Sequence, residues 1–309
     1  MLRFLPAPLQ GSILFVALAV NTIFCSLLLY MVALVKLLIP IHSWRIACGK
    51  LANAIAQDWV GINSLGLKLA KNIRWDVQGI DALQPDAWYL LVANHQSMVD
   101  VVVLQSIFHR KIPFLKFFLK KELIWVPFLG IVWWTLDFPF MKRTASARKD
   151  METARKACDK FRLLPVTIMN FIEGTRFTPA KRENENSPFA YLLKPKIGGM
   201  AVVLSALGQR LHSILDVTIV YPEGTPGLWK FLCSNSMEIK VRVKQIPVTP
   251  ELLGDYLTDR EFRRRLKDWL DKLWDEKDKL IGTLFPLPAH NSNRSEIALG
   301  LGERHVEQK

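Results

Sequence analysis

The chain has 309 residues, half of them apolar, enough to bury a substantial core in one large domain or two small ones. Lys and Arg number 41 against 28 Asp and Glu, a net charge of +13 that favours nucleic acid, anionic lipid or a phosphorylated substrate as partner without choosing among them. Cys25, Cys48, Cys158 and Cys233 form no C-x-x-C pair and no ladder of short spacings, which argues against a disulfide scaffold and a zinc site and for a reducing compartment.

From Ile13 to Ile39 the sequence is apolar except for Lys36 and a few small polar residues, longer than the roughly 20 residues needed to cross a bilayer. A cleavable signal peptide has an apolar region of roughly 7–15 residues and a small-residue cleavage site, so the run predicts an uncleaved membrane anchor over 1–42. Arg3 precedes it and Lys36, Arg45 and Lys50 follow it, which weakly places the remainder in the cytoplasm. Asn21 and Thr22 near its middle keep a re-entrant hairpin open as an alternative.

Trp44, Ala47, Leu51, Ile55 and Trp59 recur at helical spacing and predict an amphipathic linker helix over 43–72. "IRWDVQGI" and "AWYLLVANH" read as strands separated by a turn at Asp81–Asp86. A helix is expected over Met151–Phe161, then a buried strand in "PVTIMNFIEGTR", a polar connection, a helix from Gly199 to Leu207 and a strand in "ILDVTIVYP". Met237, Ile239, Val241 and Val243 alternate as on a half-exposed strand, and Thr258-x-x-Glu261 reads as a capping box before a closing helix striped by Phe262, Leu266, Trp269 and Leu273. The tail over 286–309 is expected to be disordered. Strands alternating with helices predict an α/β fold, a mixed and largely parallel sheet flanked by helices and preceded by the N-terminal membrane helix.

Two constellations carry chemistry. "YLLVANHQSMVD" sets His95 and Asp100 five residues apart, about 500° on a continuous helix, so they meet only if His95 lies in a turn before a helix and Asp100 folds back from its first turns. A carboxylate on one ring nitrogen fixes the tautomer and frees the other nitrogen to accept a proton. "FIEGTR" places Glu173, Gly174, Thr175 and Arg176 directly after a buried strand, where open α/β sheets bind ligands, with a glycine to admit an anion and an arginine to fork onto a phosphate. "LDFPFMKR" adds Lys142 and Arg143. Two cationic clusters around one base imply an anionic substrate. Ser97, at i+2 of the histidine, is poorly placed for a serine–histidine nucleophile, and Cys158 reads as structural.

"NHQSMVD", the Arg143 segment, "FIEGTR" and "VTIVYP" stand in the order of the four blocks of the 1-acylglycerol-3-phosphate acyltransferase family, which the chain resembles over roughly residues 75–245. The text "FLKKELIWVPFLGIVWWTLDFPFMKR" is similar to the lysocardiolipin-type branch and its bacterial inner-membrane relatives, the YihG-like acyltransferases. The resemblance implies an acyltransferase domain over 73–285 with catalytic His95 and Asp100. It also implies phosphate contacts from Arg143, Glu173, Gly174, Thr175 and Arg176, and further candidates in Asn94, Lys142, Lys194 and Lys196. Ile172 stands where many members have proline. A second Glu-Gly-Thr, Glu223–Thr225, lacks the arginine and reads as a coincidental turn.

The implied reaction passes a fatty acyl chain from acyl-CoA or acyl carrier protein to the free hydroxyl of a lysophospholipid, first of all 1-acylglycerol-3-phosphate, with His95 as general base and no cofactor or metal. The expected setting is a bacterial inner membrane with the catalytic domain on the cytoplasmic side. A lysocardiolipin or lysophosphatidylglycerol remodelling enzyme is the alternative within the class, and an inactive lipid-binding membrane protein the alternative outside it. No helix-turn-helix or aromatic RNA-binding signature supports nucleic acid as a partner. Leu123–Phe140, interrupted by Pro127, Asp137 and Pro139, is expected to line the acyl groove or meet the membrane interface, with Lys116, Lys120 and Lys121 facing an anionic surface.

Overall fold

The N-terminal apolar run forms a single helix, α1 (Ala7–Leu38), entered through Pro6 and closed at Ile39–Pro40. It is seen in a computed structural model that describes residues 5–141, 152–156, 158, 161 and 164–285. By length and composition α1 is sufficient to cross a membrane. The next helix, α2 (His42–Ala70), runs back along it. Gln10 Nε2 donates to Ala70 O at 2.7 Å, and Asn21 Nδ2 to Trp59 O at 3.1 Å and Asn63 Oδ1 at 2.7 Å. These bonds, two to backbone carbonyls and one between side chains, cross the helix pair and fix its register.

Among the described residues six strands make the main sheet: β1 (Asn72–Gln78), β2 (Tyr89–Ala93), β3 (Leu115–Phe117), β6 (Thr167–Phe171), β7 (Ser213–Val220) and β8 (Ser236–Pro247), in the order β1-β8-β7-β2-β6-β3. β7, β2, β6 and β3 are mutually parallel, while β8 runs antiparallel to β7 and parallel to β1. β2 and β7 are buried at every residue, the signature of central strands covered on both faces. β8 buries Met237, Ile239, Val241 and Val243 in the alternation its sequence predicts. A separate pair, β4 (Leu119–Lys120) and β5 (Phe140–Met141), brackets a short 3-10 turn at Lys121–Trp125 and the helix α4 (Leu129–Thr135).

One face of the sheet is covered by α3 (Val99–Phe108), the end of α2 and α7 (Leu228–Cys233). The other is covered by α6 (Gly198–Leu207) and the closing helix α8 (Arg260–Leu284), with α5 (Pro179–Asn184) in the connection between β6 and α6. Leu14 of α1 is buried in the first of these layers and Leu18 packs against it. Gly11 passes so close to α7 that a Cβ there would lie 2.4 Å from Cys233 Sγ. α1 thus packs on α2 along its length, with its first half also on the domain and its second half also on α4. The opposite side shows Ile13, Val16, Val20, Ile23, Leu27, Met31, Leu34 and Leu38, one continuous helical face, to the surroundings.

Two sequence expectations are corrected. The cap of α8 is Asp259, whose side chain accepts from Phe262 N at 2.9 Å, because Asp255 captures both the hydroxyl and the amide of Thr258. Lys116 does not face a membrane surface: it is buried, with Nζ 5.4 Å from the centre of the Phe161 ring. α8 also delivers a fully buried Lys277, whose Nζ pairs with Asp216 at 2.7 Å and donates to Val217 O and Thr218 Oγ1. Burial lowers the pKa of that lysine against the pull of Asp216.

Candidate active site

The C-terminal ends of β7, β2 and β6 lie side by side, and the residues that follow them build the site. Open parallel sheets bind ligands at this end because the chain leaves the strands there in loops while the helices begin. Asn94, the first residue beyond β2, is buried and completes the strand with its side chain, donating to Ile219 O and accepting from Ile219 N, both at 2.9 Å.

His95 follows in the turn and Asp100 lies in the first turn of α3, so the five-residue spacing closes on itself, with Nδ1 of His95 2.9 Å from Asp100 Oδ2. That oxygen also accepts from the amides of Gln96 (2.6 Å) and Ser97 (2.8 Å), and Oδ1 accepts from the Tyr221 hydroxyl at 2.7 Å. Four polar groups and a helix N-terminus converge on one buried acid and fix its position. Burial and the neighbouring Asp100 charge push the Tyr221 hydroxyl well above the ordinary tyrosine pKa, so it stays a donor. An acceptor on Nδ1 assigns the proton to that nitrogen and leaves the Nε2 lone pair free. The imidazole is 15% exposed and stacks on Phe171, with ring centres 3.9 Å apart and planes at 11°. It is thus fixed in its own plane and from one face.

Glu173 departs from the role its block implies. It is fully buried, its Oε1 accepts from His95 N at 2.8 Å and its Oε2 from Leu193 N at 2.9 Å. With both oxygens committed to backbone amides it braces the histidine loop, and a carboxylate would repel a phosphate in any case. Phe177 N returns a bond to His95 O at 2.7 Å, so the two loops are tied in both directions. Burial raises the Glu173 pKa to about 7, against the lowering effect of the two amides.

A cleft of about 500 Å³ opens beside His95. Thr175, Arg176 and Lys196 form its polar rim, and Val101, Phe117, Leu119, Met169 and Phe171 line its apolar side. Gly174 takes a left-handed φ of +70°, and a Cβ there would sit 3.2 Å from Lys196 Cδ, so the turn keeps backbone and lysine close together. Among the described residues the Arg176 guanidinium makes no ion pair, whereas Lys196 lies 3.9 Å from Glu185. Lys194 is exposed and does not line the cleft. Lys142 and Arg143 lie outside the described residues. Ser97 Oγ donates to Pro226 O and accepts from Val99 N, so it is structural. The second Glu-Gly-Thr is no idle turn, since Thr225 Oγ1 reaches Gln96 Oε1 at 3.1 Å and supports the histidine loop from the other side.

Neither Tyr221 nor Phe171 stands out in the sequence as a site residue. A tyrosine one residue beyond a fully buried strand, in the fourth block itself, was the available signal for the first. The stacking of Phe171 needed the β2–β6 pairing, which no local pattern supplies.

Residues 74–222 match the protein-family model described as Acyltransferase. The chain is 26% identical over 223 residues to the 1-acyl-sn-glycerol-3-phosphate acyltransferase epsilon of Mus musculus, covering 64% of this chain and 58% of that one. It is 28% identical over 172 residues to the gamma enzyme of Homo sapiens (52% and 43%), and 24% identical over 247 residues to Lysocardiolipin acyltransferase 1 of Gallus gallus (75% and 62%). The chain thus spans between 43% and 62% of the length of these curated relatives. The crystal structure of the 1-acyl-sn-glycerophosphate (LPA) acyltransferase PlsC from Thermotoga maritima aligns with a TM-score of 0.47 at 17% identity, over 88% of this chain and 100% of that one. The matched segment, just under half of the chain, contains His95, Asp100, the Glu173–Arg176 turn and Tyr221, so the likeness to the acyltransferase family takes in the whole candidate site.

Proposed function

We propose that the protein transfers a fatty acyl chain from an acyl thioester, carried by coenzyme A or acyl carrier protein, to the free glycerol hydroxyl of a lysophospholipid. The foremost acceptor is 1-acylglycerol-3-phosphate, giving phosphatidic acid. The observation that carries this reading is the imidazole held by a buried carboxylate at the edge of a cleft with a cationic rim and an apolar wall. Nε2 of His95 takes the acceptor's hydroxyl proton as its oxygen bonds to the thioester carbon. The C–S bond then breaks, and the thiolate leaves with the proton. Asp100 stabilises the imidazolium formed on the way, and general-base help of this kind is typically worth ~10²–10⁴-fold. Arg176 and Lys196 hold the acceptor phosphate and so orient its hydroxyl. The exposed apolar face of α1 fits a membrane-bound protein, and we place it at a bacterial inner membrane with residues 73–285 on the cytoplasmic side.

A lysocardiolipin or lysophosphatidylglycerol remodelling activity is the second reading, favoured by the 75% of the chain that aligns with Lysocardiolipin acyltransferase 1. Purified protein given labelled acyl-CoA or acyl carrier protein and the three lysophospholipids in parallel separates the readings by the product formed. In the same assay Arg176→Ala should lose about 10–100-fold in kcat/KM on phosphorylated acceptors, the value of one charge-assisted contact, and little on monoacylglycerol. An equal loss on the uncharged acceptor removes the phosphate role.

A further inference from the structure

Trp125 is 85% exposed and Phe128 73% exposed, on the excursion between β4 and β5. Large aromatic side chains at such exposure are unusual on a water-facing surface, and here the backbone is shaped to hold them out. Phe128 has φ +65° and ψ −49°, the rare and strained γ-turn, closed by Leu129 N donating to Pro127 O at 2.8 Å. A Cβ on Gly130 would lie 1.9 Å from Ile124 O, so the chain folds tightly back on itself there. The turn is also bolted to α1: the Tyr30 hydroxyl donates to Phe128 O at 2.6 Å, and Lys36 Nζ reaches Asp137 at 2.8 Å and Thr135 O at 3.1 Å.

Two further observations say what covers these rings. Ile131 and Trp134 of α4 are exposed as well, and α4 packs on the part of α1 whose outer face shows Leu27, Met31 and Leu34, so the aromatic turn continues the apolar face of a helix fit to cross a membrane. Lys120 and Lys121, exposed ahead of Glu122, flank it, as basic residues do where aromatic rings meet an anionic bilayer. The same chain segment supplies Phe117 and Leu119 to the apolar wall of the cleft.

We propose that Trp125 and Phe128 form a second membrane contact, separate from α1, which seats the bilayer beside the apolar wall of the cleft so that a lipid acceptor enters from the bilayer along Phe117 and Leu119. The entry route rests on the acyl-transfer reading; the contact does not.

The test uses the full-length protein in phosphatidylethanolamine–phosphatidylglycerol vesicles with and without brominated acyl chains. The fluorescence contributed by Trp125, taken as wild type minus Trp125→Phe, should fall by at least half in brominated vesicles. A contribution untouched by bromine overturns the contact. In the second arm, the double variant Trp125→Ser/Phe128→Ser should lose about tenfold or more of its rate on a long-chain acceptor embedded in vesicles, and keep its rate on a short-chain acceptor monomeric in solution. Equal losses on both, or none on either, overturn the entry route. Quenching of Trp125 with no acylation of any acceptor by wild type would remove the acyl-transfer reading and leave the membrane contact standing.

Discussion

Asp100 accepts from His95, from two backbone amides and from the Tyr221 hydroxyl, and this crowding explains how a histidine in a loop keeps one orientation. Glu173 does the complementary work from behind by holding the histidine's own amide. Its pKa of about 7, above the ordinary 4.5, means the folded state binds this proton more tightly than the unfolded chain. The stability contributed by that proton is fully present below pH 4.5 and is lost as the pH rises through about 7. Glu173→Gln should therefore flatten the stability–pH curve across this window, measured by denaturant melts at several pH values. It should also lower kcat, because an amide group cannot accept from both backbone N–H groups at once. The His95–Asp100 pairing was legible in advance, since a fully apolar strand running into a turn leaves few ways to place a five-residue spacing. The bracing role of Glu173 was not, because its partners at positions 95 and 193 come from separate loops.

At the scale of elements, α8 shows what local pattern carries and what it omits. Its stripe from Phe262 to Leu273 was readable from spacing, but Thr258 and Asp259 are both good caps, and only the presence of Asp255 decides between them. Lys277 reads as one more charge on an amphipathic helix, yet it points inward onto β7 and neutralises Asp216 beneath the site. Lys277→Met keeps the length and strands a buried carboxylate, so a loss of about 3–5 kcal/mol is expected by chemical denaturation. The double change Lys277→Met/Asp216→Leu should recover most of it. A double variant as unstable as the single one would show that packing, and not the stranded charge, dominates.

Across the whole molecule, the exposed apolar face of α1 and the aromatic turn packed on it lie in one chain with a cleft whose wall includes Phe117 and Leu119, just ahead of that turn. The sequence of α1 could not say which side of the helix meets protein, because it is apolar all round and carries no periodicity to read. Asn21 and Lys36 hinted at partners without identifying Asn63 or Asp137. The central claim is that the paired imidazole of His95 removes the acceptor's proton in this setting. Its most direct test is single-turnover acylation of 1-acylglycerol-3-phosphate by labelled acyl-CoA in vesicles, comparing wild type with His95→Ala at equal thermal stability. The variant should lose ~10²–10⁴-fold in rate, and turnover at the wild-type rate would rule out a general-base role for His95.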